Sequence, residues 1–331
     1  MSGLYHDDFV ESLQRELSAE LGRWGLSAST RLSLLSLSEN ATFRADDPER
    51  TEPVVLRVHR PGYHSIAEIE SELAWISALR AASIVLTPRP LPARDGRAIV
   101  SFAHDGGSRQ AVAFEFVPGH ELDGSMDLAG DFRRLGAITA RLHQHARRWQ
   151  RPAGFTRKTW DFETMLGARA HWGDWREALG LTNQGRLILE RCVQILRAQL
   201  ADYGRDGDRF GLVHADLRLA NLLLDGERLA VIDFDDCGFS WYMYDFAAAV
   251  SYIETSTEMS ELQSAWLAGY REVCLLSKED EEALPMFIML RRLLLTAWVA
   301  SHSETPTAQE LGTGFTEDTV LLAADYLARI D

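Results

Sequence analysis

The stretch His214-Ala215-Asp216-Leu217-Arg218-Leu219-Ala220-Asn221 has the spacing H-x-D-x-x-x-x-N, and Asp233 follows within Val231-Ile232-Asp233-Phe234-Asp235. Together they offer one carboxylate that can accept a proton from a hydroxyl. They also offer an amide and a second carboxylate that can hold divalent cations. Phosphoryl transfer asks little more of side chains, because positioning and charge neutralisation carry its catalysis. The setting fits. Gly211-Leu212-Val213 enters as a short apolar strand and Leu222-Leu223-Leu224 leaves as another. Asp225-Gly226-Glu227 then reads as a hairpin turn into Leu229-Ala230-Val231-Ile232. The loop and Asp233 therefore belong to adjacent short strands, from which both carboxylates are expected to face one site. A solvated loop beside a β-hairpin is the competing reading.

Working outward, Phe9, Leu13, Leu17, Leu21 and Trp24 recur at helical spacing and predict an amphipathic helix over 7–24. Short β-like runs follow at 31–35, 41–44 and 54–58, with Asp46-Asp47-Pro48-Glu49 as a turn between the last two. A helix capped by Ser65 is expected to about Ala82, with Ile66, Ile69, Leu73, Ile76 and Leu79 on one face. Two more strands, 97–102 and 110–117, precede Pro118-Gly119. Beyond that point helices are expected near 127–148, 182–203, 257–276, 280–302 and 316–329. The pattern predicts an α+β, bilobal arrangement. A β-rich N-terminal lobe covers residues 1–117, including the leading helix, and a larger helical lobe covers 118–331. A cleft between them is expected near Val117. No internal repeat or low-complexity tract interrupts the pattern.

The chain of 331 residues is long for a single core, and its 46% hydrophobic content suffices to bury substantial ones. A formal net charge of −15 argues against a nucleic-acid partner, which demands a basic footprint. It is compatible with a cationic substrate, and equally with plain solubility. Cys192, Cys237 and Cys274 form neither a disulfide framework nor a C-x-x-C metal site, which points to a reducing compartment. Asp7, Asp8, Glu11 and Glu16 stand where a signal peptide would be apolar, and no apolar run approaches the roughly 18 residues of a membrane span. A cytoplasmic protein without a membrane partner, monomeric or homodimeric, is expected. His143 and His145 do not share a helix face, so a zinc site is not expected.

The segments 214–221 and Ile232-Asp233-Phe234-Asp235-Asp236 resemble the catalytic and metal-binding segments of the aminoglycoside phosphotransferase and choline kinase superfamily. Trp241 to Ala247 and Leu135 to His143 are similar to flanking segments of that family. Ser38-Glu39-Asn40-Ala41-Thr42-Phe43-Arg44 and Leu56-Arg57-Val58-His59-Arg60-Pro61-Gly62-Tyr63 look like the branch containing type II homoserine kinases and the bacterial stress-response kinase A. The resemblance spans roughly 30–250. It implies a protein-kinase-like fold and ATP- and Mg²⁺-dependent transfer of the γ-phosphoryl group to a hydroxyl of a small molecule.

Carried over residue by residue, the resemblance makes Asp216 the base that orients and deprotonates the acceptor. Asn221 and Asp233 become the ligands of Mg²⁺, which prefers a few oxygens besides phosphate and water. His214 would brace the loop and Asp245 would tie it to a helix as structural support. Arg218 would reach the γ-phosphate or remain a surface arginine. Asp235 and Asp236 would touch metal or substrate, or lie exposed in an acidic loop. The family pairs a strand cation with a helix glutamate to clamp the phosphates. Here the cation is Arg57 where many members carry lysine, and the preferred partner is Glu72, with Glu68 and Glu70 as competitors. Glu68 shares a face with Glu72, whereas Glu70 points elsewhere. The nucleotide loop lacks glycine, so backbone amides of Ser38, Glu39 and Asn40 would serve it. Glu115 and Val117 look like the hinge whose backbone meets adenine.

Trp160, Trp172, Trp175, Trp241, Tyr242 and Trp266, with acids such as Glu254, would suit a cationic amine if they lined a pocket, or would pack as core. Homoserine, choline, amino alcohols, sugars and aminoglycosides all remain open as acceptors. Two other readings compete. The first is a Ser/Thr protein kinase, opposed by the absence of an activation segment between Asp233 and Asp245. The second is a catalytically silent nucleotide-binding protein, kept open by the glycine-free loop and Arg57.

Overall fold

The computed structural model describes residues 7–37, 40–122 and 127–330. They gather into two compact units. One comprises the described residues through His120 together with Arg151–Arg157 and Leu223–Asp235, and the other comprises the remainder.

In the first unit, helix α1 (Asp7–Glu20) runs on as a 3₁₀ turn, Leu21–Trp24, and stops at Gly25. Gly25 has φ +76, a left-handed conformation that costs glycine nothing. Strands β1 (Arg31–Leu37), β2 (Ala41–Asp46) and β3 (Val54–Val58) lead to helix α2 (Ile66–Ala81). Strands β4 (Pro90–Leu91), β5 (Ile99–His104) and β6 (Gly107–Glu115) follow. The antiparallel sheet has the order β1-β2-β3-β6-β4, with β5 also paired to β6. Asp105 and Gly106 both have positive φ, +51 and +71, as a two-residue type I′ turn requires. That tight turn is why β5 and β6 end and begin closer together than the hydrophobic pattern predicts.

Strand alternation decides which face carries chemistry. Val54, Leu56 and Val58 join Phe43, Ala45, Ala111 and Ala113 in one apolar core against Leu13 and Leu17 of α1 and Leu21 and Trp24 of the 3₁₀ turn. Arg57 is out of phase with them and points to the opposite face, level with Val112 of β6. Helix α2 starts at a capping box in which Ser65 and Glu68 satisfy each other's backbone N–H groups. Its buried side carries Ile69, Leu73, Ile76 and Leu79, with Glu72 among them.

Beyond the two-residue strand β7 (His120–Glu121) come α3 (Leu128–Arg148), α4 (Phe162–Met165), α5 (Asn183–Tyr203) and β8 (Phe210–Val213). The hairpin β9 (Leu222–Asp225) and β10 (Arg228–Val231) turns at Gly226, φ +60, and carries the chain into the first unit, where Val231 N–H donates to Leu86 O at 2.8 Å. The chain then returns as β11 (Gly238–Trp241), antiparallel to β8, and continues through α6 (Tyr244–Ala249) and α7 (Met259–Arg271). Helices α8 (Lys278–Glu282), α9 (Leu284–Ser301) and α10 (Pro306–Ala328) complete it. The expected 316–329 helix in fact begins at Pro306, capped by the Thr305 hydroxyl. A kink at Gly312, φ +53 and ψ −151, breaks its periodicity and hides its first turns from the sequence.

Two glycines set the α3–α7 crossing. A Cβ on Gly136 would lie 2.0 Å from Trp266 O, and one on Gly269 would lie 1.8 Å from Arg133 O. Backbone meets backbone there. The stretch Lys278–Ser301 is long and apolar enough to cross a membrane by length and composition, yet 78% of its most apolar window is buried inside the protein. It is the core helix of the second unit, and the six aromatic residues 160, 172, 175, 241, 242 and 266 are also buried. Core packing, not a substrate wall, is their fate.

Candidate active site

The first unit holds an ionic cluster on the sheet face opposite α1. Arg57 Nη2 donates to both carboxylate oxygens of Glu72 at 2.7 Å, with side chains only 8% and 0% exposed. Of the competing acids, Glu68 is committed to the α2 cap and Glu70 is exposed. Arg57 also lies 3.8 Å from Asp233 Oδ1 and 3.8 Å from Asp235 Oδ1, and its guanidinium sits over the Phe114 ring. Burial works against the Arg57 charge, but Glu72, Asp235 and Asp233 outweigh it and raise its pKa. Its Nε is buried and has no acceptor among the described residues. A phosphate oxygen would complete it.

Asp233 follows β10 with φ +60 and a half-exposed side chain. A non-glycine residue held in that region is strained, and such strain clusters where geometry serves chemistry. Asp235 is not an exposed loop acid. It is 5% exposed and lies 3.3 Å from His64 Nε2 and 3.6 Å from His59 Nδ1. Burial would push its carboxyl up, but Arg57 and His64 hold it well below the usual range. Burial and the Arg57 charge in turn keep the His59 ring neutral, well below its ordinary pKa. Asp236 is half-buried and its carbonyl accepts from Trp160 Nε1 at 2.8 Å.

The remaining expected nucleotide contacts are partly described. Ser38 and Glu39 lie outside the described residues. Asn40 is buried and its Oδ1 accepts from Arg60 N–H at 3.3 Å, fixing the end of β3. Glu115 N–H donates to Arg89 O at 2.9 Å, and its carboxylate pairs with Arg89 and Arg80. Val117 follows the strand outside regular secondary structure.

The second unit holds Asp216. Its Oδ1 accepts from Arg291 Nη2 at 2.7 Å and from Arg218 Nε at 3.2 Å. Its Oδ2 accepts from Asn221 Nδ2 at 3.0 Å and from the same Arg218 Nε at 3.3 Å. Burial would raise the Asp216 carboxyl, but the charges of Arg218 and Arg291 hold it below the ordinary value. Asn221 Nδ2 donates a second time, to Asp216 O at 2.7 Å. Both donors of that amide face acceptors of Asp216, so its oxygen turns away from them, the orientation a cation ligand needs. An amide oxygen and a carboxylate are hard donors of the kind Mg²⁺ takes.

The loop backbone is itself strained, with Ala215 at φ +68. Asp245, fully buried at the start of α6, holds it there. It accepts from Ala215 N–H at 2.7 Å and from His214 N–H at 3.2 Å. His143 Nε2 lies 2.9 Å from the same carboxylate, and His143 Nδ1 lies 3.0 Å from Tyr270 Oη. A carboxylate only accepts, so Nε2 carries the proton and Nδ1 accepts a hydrogen bond from the tyrosine hydroxyl. Burial lowers the pKa of His143 and keeps it neutral. His214 is buried beside Asp216 and is tied through its backbone to Asp245.

Sequence reasoning missed Arg291, His143, Tyr244 and His59. The adjacent arginines within Leu284–Ser301 were the available signal, since a charge in so apolar a helix must be paired. Arg292 pairs with Glu254 at 2.8 Å, which removes Glu254 from the exposed acids that would receive a cation. A cavity of about 800 Å³ near α4 and α5 lies apart from this chemistry, and its charges Arg197–Glu163 and Arg176–Asp174 are already paired.

Residues 32–280 match the phosphotransferase enzyme family, APH. A microcompartment-associated aminopropanol kinase of known structure is 45% identical, with a TM-score of 0.88 over 95% of this chain and 97% of that one. Amicoumacin kinase of Bacillus subtilis (strain 168) is 24% identical over 98% of this chain and 99% of its own. The structure of amicoumacin kinase hAmiN, in complex with AMP-PNP, Ca²⁺ and Ami, is 20% identical with a TM-score of 0.77, covering 95% and 96%. That last likeness shows the protein-kinase-like fold alone.

Proposed function

Starting from a chain that belongs to the phosphotransferase enzyme family and is a small-molecule kinase, we propose that it transfers the γ-phosphoryl group of ATP to a short amino alcohol. The observation that carries the acceptor class is the 45% identity to an aminopropanol kinase over 95% of the chain. Cys192, Cys237 and Cys274 are not joined in disulfides, which suits a cytoplasmic setting, where ATP is supplied.

In this reading Arg57, held by Glu72, would grip the nucleotide phosphates, with its Nε left to donate to one of their oxygens. Asn221 and Asp233 are the residues that would hold Mg²⁺, which would supply neutralisation of phosphate charge. Asp216 orients the acceptor hydroxyl and takes its proton as the O–P bond forms, while ADP leaves with the electron pair of the broken bond. Arg218, one-third exposed, is the donor that yields the edge of Asp216 to the incoming hydroxyl and turns to the γ-phosphate. Its grip on Asp216 is long and shared between both oxygens, so it is the weakest of the three.

A protein substrate fits poorly. Between Asp233 and Asp245 the chain is taken up by β11, paired residue for residue with β8, and no long segment remains to dock a peptide. Catalytic silence also fits poorly, because the Arg57–Glu72 pair is formed and Asp216, Asn221 and Asp233 are all present. ADP release measured against aminopropanol, ethanolamine, choline, homoserine, sugars, aminoglycosides and Ser/Thr peptides tests the reading. Turnover is expected to be fastest with the short amino alcohols. A response confined to peptides or to aminoglycosides would overturn it.

A further inference from the structure

Arg291 is 3% exposed in an α9 helix otherwise packed with leucines. Burying a guanidinium costs more than one ion pair usually returns, and a leucine there would serve stability at least as well. The guanidinium is tied on every side. Nη2 donates to Asp216 Oδ1 at 2.7 Å, and Nη1 to Tyr244 Oη at 2.9 Å and Ala215 O at 3.3 Å. Nε donates to Ser251 Oγ at 3.2 Å, and the Trp172 ring lies beneath, 5.3 Å away. It thus touches the loop's backbone and its reactive carboxylate at once. The next residue is a built-in control. Arg292, also 3% exposed, faces the other way, to Glu254 at 2.8 Å, Thr319 Oγ1 at 2.8 Å and Phe315 O at 3.0 Å.

We propose that Arg291 is a positioning residue for phosphoryl transfer, fixing Asp216 from inside the helical unit so that only the carboxylate edge now shared with Arg218 is exchanged for the acceptor hydroxyl. Two arginines divide the work. Arg291 is the permanent support, with five protein contacts around its guanidinium and almost no exposure to solvent. Arg218 has the carboxylate as its hydrogen-bonded partner and Tyr252 beside it, 5.8 Å to the ring centre. Misplacing a reacting group by a fraction of an ångström lowers turnover without weakening nucleotide binding, because the loss falls in the transition state.

This inference rests on the kinase reading above. The test compares wild type with Arg291→Ala, Arg291→Lys and Arg292→Ala, using steady-state ADP release with the best acceptor and thermal unfolding of each. Arg291→Ala should lose about 100-fold in kcat with KM for ATP within about threefold, and added guanidinium should restore part of that loss. Arg291→Lys should lie between, and Arg292→Ala should lower the melting temperature while folded enzyme keeps kcat within about threefold. A folded Arg291→Ala enzyme with near-wild-type kcat would overturn the inference, as would equal kcat losses in the two alanine variants. If Arg291→Ala does not fold, Arg291→Lys carries the same comparison. Failure of wild type to release ADP with any amino alcohol counts against the proposed acceptor class instead.

Discussion

Arg57 Nη2 stands 2.7 Å from both oxygens of Glu72, a charge pair sealed between β3 and α2. Breaking one side leaves a buried guanidinium that, among the described residues, only Asp233 and Asp235, each at 3.8 Å, remain to answer. Glu72→Gln should therefore cost about 3 kcal/mol of stability, near the low end for a broken buried pair. KM for ATP should rise about tenfold, because Arg57 is no longer aimed. Urea unfolding and ATP titration of the turnover rate check both.

Asp216→Asn keeps the shape of the loop and removes the charge that Arg218 and Arg291 answer. Turnover should fall by about 10³ or more, while calorimetric binding of a non-hydrolysable ATP analogue stays within a few fold. Retained turnover would remove Asp216 from the reaction.

His143 is fully buried and neutral, with a pKa depressed from its unfolded value. Below about pH 6.5 the unfolded chain binds a proton there that the folded chain refuses. Stability is therefore complete above that pH and declines as pH falls, by up to about 1.4 kcal/mol per pH unit from this residue, until the folded pKa is reached. His143→Gln should flatten the pH dependence of the unfolding free energy between pH 5 and about 6.5. An unchanged slope would show that the proton enters elsewhere.

Gly136→Ala places a methyl 2.0 Å from Trp266 O, where the obstacle is helix backbone and not a side chain that can swing aside. The melting temperature should fall by an amount corresponding to about 2–3 kcal/mol. Because α7 carries Tyr270, whose hydroxyl reaches His143, kcat of the folded remainder should fall as well. Thermal denaturation and initial rates at 20 °C separate the two effects.

The strand that carries Arg57 and the helix that carries Glu72 were legible because alternation and capping are local. Val54, Leu56 and Val58 fix the phase of β3, and Ser65 with Glu68 fixes the start of α2. The loop spacing from His214 to Asn221 was legible for the same reason. Arg291 was not, because it lies 75 residues from Asp216 and only tertiary packing brings α9 to the loop. The burial of Asp235 was hidden too, since it depends on His59 and His64 arriving from another part of the chain. Gly312 concealed the start of α10 by ending one helical phase and beginning another.

The first unit is discontinuous in the chain. Thr156 N–H donates to Ser71 Oγ at 2.9 Å, Arg157 Nη1 donates to Glu68 O at 2.8 Å, and Val231 N–H donates to Leu86 O at 2.8 Å. During synthesis the sheet around Arg57 must therefore wait for more than a hundred further residues before Asp233 and Asp235 reach it. A fragment or chimaera cut after His120 would carry Arg57 but neither of those acids, nor the stitches that close the unit. Exchange of the first unit between relatives should thus succeed only when residues 151–157 and 223–235 travel with the first 120.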